Sequence, residues 1–308
     1  MIDIVVPFYN DSDEYWRGIF RDYLSKQNTN DRQVIGDERY RDWDCFKYFF
    51  RCIENNCKWV NKVFLLVACE SQIPKWLDTN NPKLRIVYHK EFIPEELLPT
   101  FNTFTIETYI CKIKDLSDNY VYCNDDYYFL NPISKHMFFV DDYPVYRDNG
   151  EKILKFGLDY LNASDGTFYS VLNNVIDLQL EVSGDKAKWY PLDHLPVAHK
   201  KDFENEIVDR YYNKFLEANK GCFRDKYKYS NHVFTSLYRD LKRYYKFDNY
   251  YNSCYVTLKS DVNFEKFKDC DMICFNDTEQ LDDFETTKNK MINFFESKFK
   301  DKSSYEKE

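Results

Sequence analysis

The chain has 308 residues, 43 Lys+Arg against 52 Asp+Glu, and a formal net charge of −9. That balance excludes a dedicated nucleic-acid binder, which needs a basic surface to displace counterions from phosphates. Glycine is scarce at 7 residues, and neither a GxGxxG dinucleotide turn nor a GxxxxGKS/T phosphate loop occurs.

Residues 2–8 (IDIVVPF) predict a buried strand, ended by Pro7 and the turn Asn10-Asp11-Ser12-Asp13. Over 44–56, Phe46, Phe49, Phe50 and Ile53 follow the i, i+3, i+4, i+7 spacing of an amphipathic helix. The apolar run 63–69 (VFLLVAC) predicts a central strand covered on both faces, and 84–88 (LRIVY) a shorter strand. Ile106, Tyr109, Ile110 and Ile113 mark a second helix; 120–123 is a short strand stopped by Asn124-Asp125-Asp126. Segment 141–190 mixes charge, Gly and Asn with little periodicity and is expected to be an irregular insertion. Helical spacing returns at 203–216 and 232–245, a strand follows at 271–275 (DMICF), and a helix at 284–299. Residues 300–308 (KDKSSYEKE) are expected to fray. Strands alternating with helices give an α/β fold class: a Rossmann-like, mixed or mostly parallel sheet flanked by helices, with a helical C-terminal part.

The ten cysteines, at 45, 52, 57, 69, 111, 123, 222, 254, 270 and 274, form no CxxC pair. Several lie in apolar runs, so reduced core thiols of a cytoplasmic protein are expected. Asp3 interrupts the first apolar run and no charged segment precedes it, so no secretory signal is expected. The run 63–69 is far short of the roughly 20 residues of a membrane span.

In an open α/β sheet, ligands sit beyond the carboxyl ends of the strands. Three acidic turns take that position: Asn10-Asp11-Ser12-Asp13, Asn124-Asp125-Asp126 and Asn276-Asp277. Adjacent carboxylates repel unless a cation neutralises them, and hard oxygen ligands suit Mg²⁺ or Mn²⁺, which commonly bridge to phosphates. The same residues equally make turns and cap helices with no ligand at all. His194, in Pro191-Leu192-Asp193-His194-Leu195-Pro196, is either a general base near neutrality or a structural hydrogen-bonding group. Arg224, after Phe223, is either a phosphate-clamping fork or a surface charge.

These residues fall into four ordered blocks. The first runs from Ile2-Asp3-Ile4-Val5 through Pro7 to Asn10-Asp11-Ser12-Asp13. The second includes Arg39-Tyr40-Arg41-Asp42, Phe50-Arg51-Cys52-Ile53-Glu54, Gln72-Ile73-Pro74-Lys75-Trp76-Leu77, Leu98-Pro99-Thr100-Phe101-Asn102, Ile106-Glu107 and Asn124-Asp125-Asp126. The third is His194-Leu195-Pro196 with Phe223-Arg224, and the fourth is Ile273-Cys274-Phe275-Asn276-Asp277. In this order they resemble the Stealth family of bacterial capsule and surface-polysaccharide sugar-phosphate transferases, related to the catalytic part of lysosomal-enzyme N-acetylglucosamine-1-phosphotransferase. The sequence departs from the family pattern at Asp11 and Ser71, where glycine is usual, and in the acid that normally follows Phe223-Arg224.

The resemblance implies a single catalytic domain over 1–308, with a first α/β part at 1–140, a variable insertion at 141–190, and a second part at 191–300 completing the site. It implies transfer of a sugar 1-phosphate from a nucleotide-diphosphate sugar, a UDP-N-acetylhexosamine being the expected donor, to a glycan acceptor. Asp125, Asp126 and Asp277 are then expected to hold Mg²⁺ or Mn²⁺. Arg224 is expected on the phosphoryl group, with His194 as base and Asp126 also catalytic. Asp3, Asn10, Asp13, Gln72, Asn102, Glu107 and Asn124 are the expected substrate-binding residues. Asp42 and Arg51 serve either the site or a buried ion pair. The expected location is the cytoplasm, including the inner face of the cell membrane beside the polysaccharide machinery. The competing readings are a metal-dependent glycosyltransferase, which uses the same donor but releases a nucleoside diphosphate, and a non-enzymatic polysaccharide-binding protein.

Overall fold

The computed structural model describes residues 1–27, 31–147, 155–163, 166–184, 194–247 and 252–308. In chain order the strands are β1 (Ile2–Pro7), β2 (Val63–Val67), β3 (Leu84–Tyr88), β4 (Asn119–Tyr122), β5 (Tyr127–Phe129), β6 (Phe139–Val140), β7 (Tyr143–Arg147), β8 (Val197–Lys200), β9 (Tyr245–Phe247), β10 (Ser253–Thr257) and β11 (Met272–Asn276). The helices are α1 (Glu14–Ser25), α2 (Arg32–Ile35), α3 (Phe46–Asn56), α4 (Thr103–Tyr109), α5 (Leu158–Leu161), α6 (Gly166–Ser183), α7 (Lys201–Arg210), α8 (Tyr212–Ala218), α9 (His232–Asp240) and α10 (Phe284–Lys298).

The main sheet runs β3-β2-β1-β4-β8, parallel except for β8, which pairs antiparallel with β4. The α/β architecture read from the sequence is the one formed. Along β1 and β2 successive side chains alternate between two cores. Ile4, Val6, Val63, Leu65 and Val67 pack with α3 and α10, while Val5, Phe64 and Leu66 pack with α4, α7 and α9. Both faces are apolar because both are covered, which is why these segments lack strand alternation in the sequence. A second sheet, β10-β11-β5, is entered when the chain leaves β4. A third sheet, β6-β7-β9, takes in Tyr143–Arg147, expected to be irregular, and Tyr245, expected to end a helix.

Several expectations are corrected. The described part of the insertion carries β7 and the 18-residue helix α6, with Val171, Leu172, Val175, Ile176 and Leu178 buried. Their helical spacing is masked in the sequence by the surrounding Gly, Asn and charge. The helix expected at 203–216 is two, α7 and α8, separated at Tyr211 by a non-helical backbone (φ −112°, ψ 27°). The helix expected at 232–245 stops at Asp240; Lys242 turns left-handed (φ 55°) and Tyr245 enters β9. Cys254 and Cys270 are joined in a disulfide rather than reduced, because Cys270 precedes β11 alongside β10.

The C-terminal residues do not fray. Arg51 extends a guanidinium fork to Glu306, Nε to Oε1 at 2.7 Å and Nη2 to Oε2 at 2.8 Å. Lys307 N donates to Trp76 O and Asp78 N to Tyr305 O, both at 2.8 Å, and Tyr305 is buried in the core. Arg51 therefore pairs with Glu306 and not with Asp42, whose carboxylate instead accepts from Asp44 N at 2.8 Å. Among the described residues no helix is long and apolar enough to cross a membrane.

Candidate active site

The topology brings two of the acidic turns to one place. From β4 the chain turns through Asn124-Asp125-Asp126 into β5, which pairs antiparallel with β11 so that Tyr127 faces Cys274. Phe275 N donates to Asp126 O at 3.1 Å. The start of β5 thus lies beside the end of β11, where Asn276-Asp277 emerges. Both turns sit past the carboxyl end of β4, where an open α/β sheet places its ligands.

Asp125 is exposed, and Asp126 and Asp277 are partly buried. Burial, with the charge of Asp42, raises Asp125 to about 6. Burial and then the charge of Asp125 raise Asp126 to about 7, against the lowering bond from Cys274. Burial lifts Asp277 to about 6, although Arg41 Nη2 holds one oxygen at 2.9 Å and Trp43 Nε1 the other at 3.2 Å. Asp126 Oδ1 is buried with no hydrogen-bond partner. A buried, unpartnered carboxylate oxygen among other acids is costly without a cation. The residues present therefore fit a divalent ion.

Their grouping differs from the expected trio. Among the described residues, the ligand atoms that come together, all within 4.8 Å of one another, belong to Asp126, His194 and Cys274. Asp125 and Asp277 stand within electrostatic range of Asp126 but outside that set. Burial pushes the Cys274 thiol well above its usual range, and its Sγ donates to Asp126 Oδ2 at 3.3 Å. A protonated thiol is a donor and not a metal ligand.

His194 reaches solvent, but its surroundings and the guanidinium groups of Arg39 and Arg224 lower its imidazole to about 4. It is neutral at physiological pH, the state a proton acceptor requires. Its ring stands perpendicular to Tyr127 (5.4 Å between centroids, 82°) and Tyr255 (5.5 Å, 88°). Pro191, Leu192 and Asp193, which precede it, lie outside the described residues.

Arg224 Nη2 donates to Thr103 Oγ1 at 2.6 Å, and its guanidinium lies 4.9 Å from the Phe104 ring centroid. Burial and the nearby Arg39 lower it to about 10, so it stays charged at neutral pH. Glu107, buried behind it, accepts from Tyr122 Oη at 2.9 Å and from Asn231 N at 3.2 Å. Burial raises its carboxyl.

The other expected binding residues are mostly occupied with the fold. Asp3 lies at the opposite end of β1 from the acidic turns and accepts from Asn61 Nδ2, Lys62 N and Ser117 N at 2.7–3.1 Å. Buried and holding three segments together, it is committed to the fold, which corrects the substrate-binding expectation. Asp13 caps α1 through Tyr15 N and takes 2.7 Å bonds from Ser71 Oγ and Gln72 Nε2. Gln72 in turn accepts from Asn10 N at 2.8 Å, so Asn10, Asp13 and Gln72 lock the loop after β1. Asn102 is fully buried and caps α4 through Phe104 N. Asn124 Nδ2 donates to Tyr127 Oη at 3.2 Å.

Sequence reasoning missed Cys274, Arg41, Trp43, Tyr127 and Tyr255. Cys274 in DMICF reads as a core residue, and only strand pairing sets it against Asp126. Arg41 adjoins Asp42 in the second block, but nothing local tells that it reaches Asp277.

Acidic turns at the carboxyl ends of parallel strands, with a neutral His and a charged Arg beside them, make this the candidate active site of an α/β enzyme. Residues 39–145 match the model of Stealth protein CR2, conserved region 2. Across nearly the whole of both chains (99% of this one, 98% of the other), the sequence is 30% identical to a capsular polysaccharide phosphotransferase WcwK of Streptococcus pneumoniae. It is also 43% identical over 124 residues to capsular polysaccharide phosphotransferase eps5J of Streptococcus thermophilus, 39% of this chain and 51% of that one. The solved galactosyltransferase LgtC, in complex with donor and acceptor sugar analogues, aligns over 96% of this chain and 95% of its own. That alignment has 9% identity and a TM-score of 0.39, too slight a likeness to argue from. The protein is a transferase. It belongs to the Stealth family.

Proposed function

We propose that this protein transfers a sugar 1-phosphate from a nucleotide-diphosphate sugar to a hydroxyl of a glycan acceptor, in capsule or surface-polysaccharide synthesis. The names of its relatives support phosphotransfer to a polysaccharide. The observation that carries the reading is Asp126 and neutral His194 side by side, with the charged Arg224 near enough to act on the imidazole.

In this reading the acceptor oxygen attacks the sugar-bearing phosphorus, the phosphoanhydride breaks, and a nucleoside monophosphate leaves. His194 takes the hydroxyl proton as the new P–O bond forms. Arg224 meets charge on the transferring phosphoryl group; Thr103 and Phe104 hold its guanidinium in place. The donor's charge also offsets Arg39 and Arg224 and so makes His194 more basic when it is needed. Asp126, whose Oδ1 has no protein partner, would hold Mg²⁺ or Mn²⁺, with Asp125 and Asp277 adding negative charge nearby. Such an ion supplies charge neutralisation on a diphosphate. Asn10, Asp13 and Gln72 shape the loop facing the donor, for which a UDP-N-acetylhexosamine is our choice. Asn102 and Glu107 support Arg224 from α4, and Asn124 orients the acidic turn. Asp126 comes from 1–140 and His194, Arg224 and Asp277 from 191–300, so we take 1–308 to work as one catalytic unit. We place it in the cytoplasm, beside the membrane-bound polysaccharide machinery.

The test is to incubate the purified protein with a panel of nucleotide sugars, Mg²⁺ or Mn²⁺, and glycan acceptors, then identify the nucleotide formed. Nucleoside monophosphate supports the proposal. Nucleoside diphosphate would replace it with glycosyl transfer, and no nucleotide from any donor would dismiss both.

A further inference from the structure

We propose that Lys228 is a positioning residue for Arg224: its buried ammonium closes the loop from which the guanidinium projects. This rests on the reading that Arg224 acts on the transferring phosphoryl group. Between α8 and α9 the chain passes through 219–231 in turns, with no helix or strand to hold it. Lysine is seldom wholly buried, yet Lys228 is 0% exposed. Its Nζ donates to Lys220 O and, at 3.2 Å, to Gly221 O, and it pairs with Asp225 Oδ2 at 3.3 Å. An ammonium has three donors, and here they meet three acceptors within 220–225, on both sides of Arg224. Gly221 makes the bend in the left-handed conformation (φ 84°).

Two neighbours brace the same loop. Asn174 of α6 donates through Nδ2 to Lys226 O and to Lys228 O, both at 2.9 Å. Phe101 N donates to Cys222 O at 2.8 Å, and the Phe101 and Phe223 rings stack 5.3 Å apart. Thr103 and Phe104 hold the guanidinium itself, but they do not fix the backbone that carries it. That task falls to Lys228, which ties the residues before Arg224 to the residue after it. The geometry matters because a displacement of about 1 Å in a positioned group can cost about a hundredfold in rate. Methionine matches the length of lysine but donates nothing, so Lys228→Met strands two inward carbonyls and releases Asp225.

The first readout needs no turnover: NMR order parameters of arginine Nε–H groups in the full chain, with the Arg224 signal identified by its loss in Arg224→Lys. That signal should be near the rigid value of about 0.85 in the wild type and below about 0.6 in Lys228→Met. The second readout is kcat, which should fall about tenfold in Lys228→Met and show no further fall when Lys228→Met is added to Arg224→Lys. Lys298→Met is the control: it removes a lysine donor to Lys268 O on α10, which packs in the other core, and should move neither readout. An unchanged order parameter in Lys228→Met, an equal loss of kcat in both backgrounds, or an equal effect of Lys298→Met overturns the proposal. If Lys228→Met does not fold, Asn174→Ala and Asp225→Asn replace it; both should lower the order of Arg224, and no change in either overturns the proposal. The nucleotide by-product of the wild type judges the phosphotransfer reading separately. Monophosphate release with an unchanged order parameter in Lys228→Met removes the positioning role and leaves that reading standing. Diphosphate release with a fallen order parameter removes that reading and keeps Lys228 as the clamp on Arg224.

Discussion

Sγ of Cys274 donates to Oδ2 of Asp126 across 3.3 Å, joining the central strand of the second sheet to the acidic turn after β4. Burial, and then the Asp126 charge, keep the thiol protonated, so it is a standing donor to that carboxylate. One Asp126 oxygen is thereby held while Oδ1 remains without a protein partner. Cys274→Ala should remove about 1.5 kcal/mol of support, roughly a tenfold loss in kcat, and Cys274→Ser should restore most of it. Steady-state rates decide the matter; a full rate in the Ala variant would show that the bond is incidental.

Metal removal follows from the same carboxylate. EDTA should abolish turnover, and Asp126→Asn should lower it by several kcal/mol in barrier, more than about a hundredfold. A second readout avoids activity altogether. Mg²⁺ or Mn²⁺ should raise the melting temperature of the wild type and not that of Asp126→Asn. Turnover in metal-free buffer would count decisively against the cation.

Arg224 should not tolerate Lys. The guanidinium both donates to Thr103 Oγ1 and lies over Phe104, and an ammonium cannot do both while also reaching a phosphoryl oxygen. Arg224→Lys should lose about ten- to a hundredfold in kcat. A wild-type kcat would reassign Arg224 to structure.

His194→Ala should lose about 10²–10⁴-fold in kcat, the usual effect of removing a general base. The donor KM should move little, since the imidazole is assigned to the acceptor's proton. If instead the donor KM rises while kcat holds, the ring is a binding group and the base lies among the carboxylates.

The C-terminal clamp has a pH signature. Burial alone would raise Glu306, but its bonds from Arg51 and Ser303 outweigh that and hold it below the ordinary 4.5. A carboxyl lowered on folding contributes stability that is complete above its unfolded value and is lost as pH falls through the folded one. Glu306→Gln removes the bidentate partner of buried Arg51 and leaves it Glu296 at 3.6 Å, so it should cost about 3 kcal/mol at pH 7, the low end for a broken buried pair. Melting curves should show the gap between wild type and variant closing as pH falls below 4.5. A gap that stays constant down to pH 3 would mean that the charge pair does not clamp the tail.

Much of the fold was legible locally. β1, β2, β3, β4, α3 and α10 lie where apolar runs and helical spacing put them, because burial on one or both faces leaves its mark on the side-chain pattern. The acidic turns were visible too, since Asn and Asp after an apolar strand have few uses besides turning, capping and binding. The order of the motif blocks carried the family. Local pattern misled where the tertiary contact was distant: the tail looked fit to fray because neither Arg51 nor Trp76 is near it in sequence.

Sequence alone therefore determined the α/β class, the strand-end acids, and His194 and Arg224 as the groups to watch. The tertiary structure decided which of them meet. Antiparallel pairing of β5 with β11 set Cys274 against Asp126, and it left Tyr255 in line with Tyr127 around His194. Arg41 and Trp43 claimed Asp277, and the far end of β1 claimed Asp3. The physical reason is the range of each influence. Backbone preference and hydrophobic period act over a few residues, whereas a hydrogen bond or a shifted pKa depends on neighbours that the chain brings together from more than a hundred positions away.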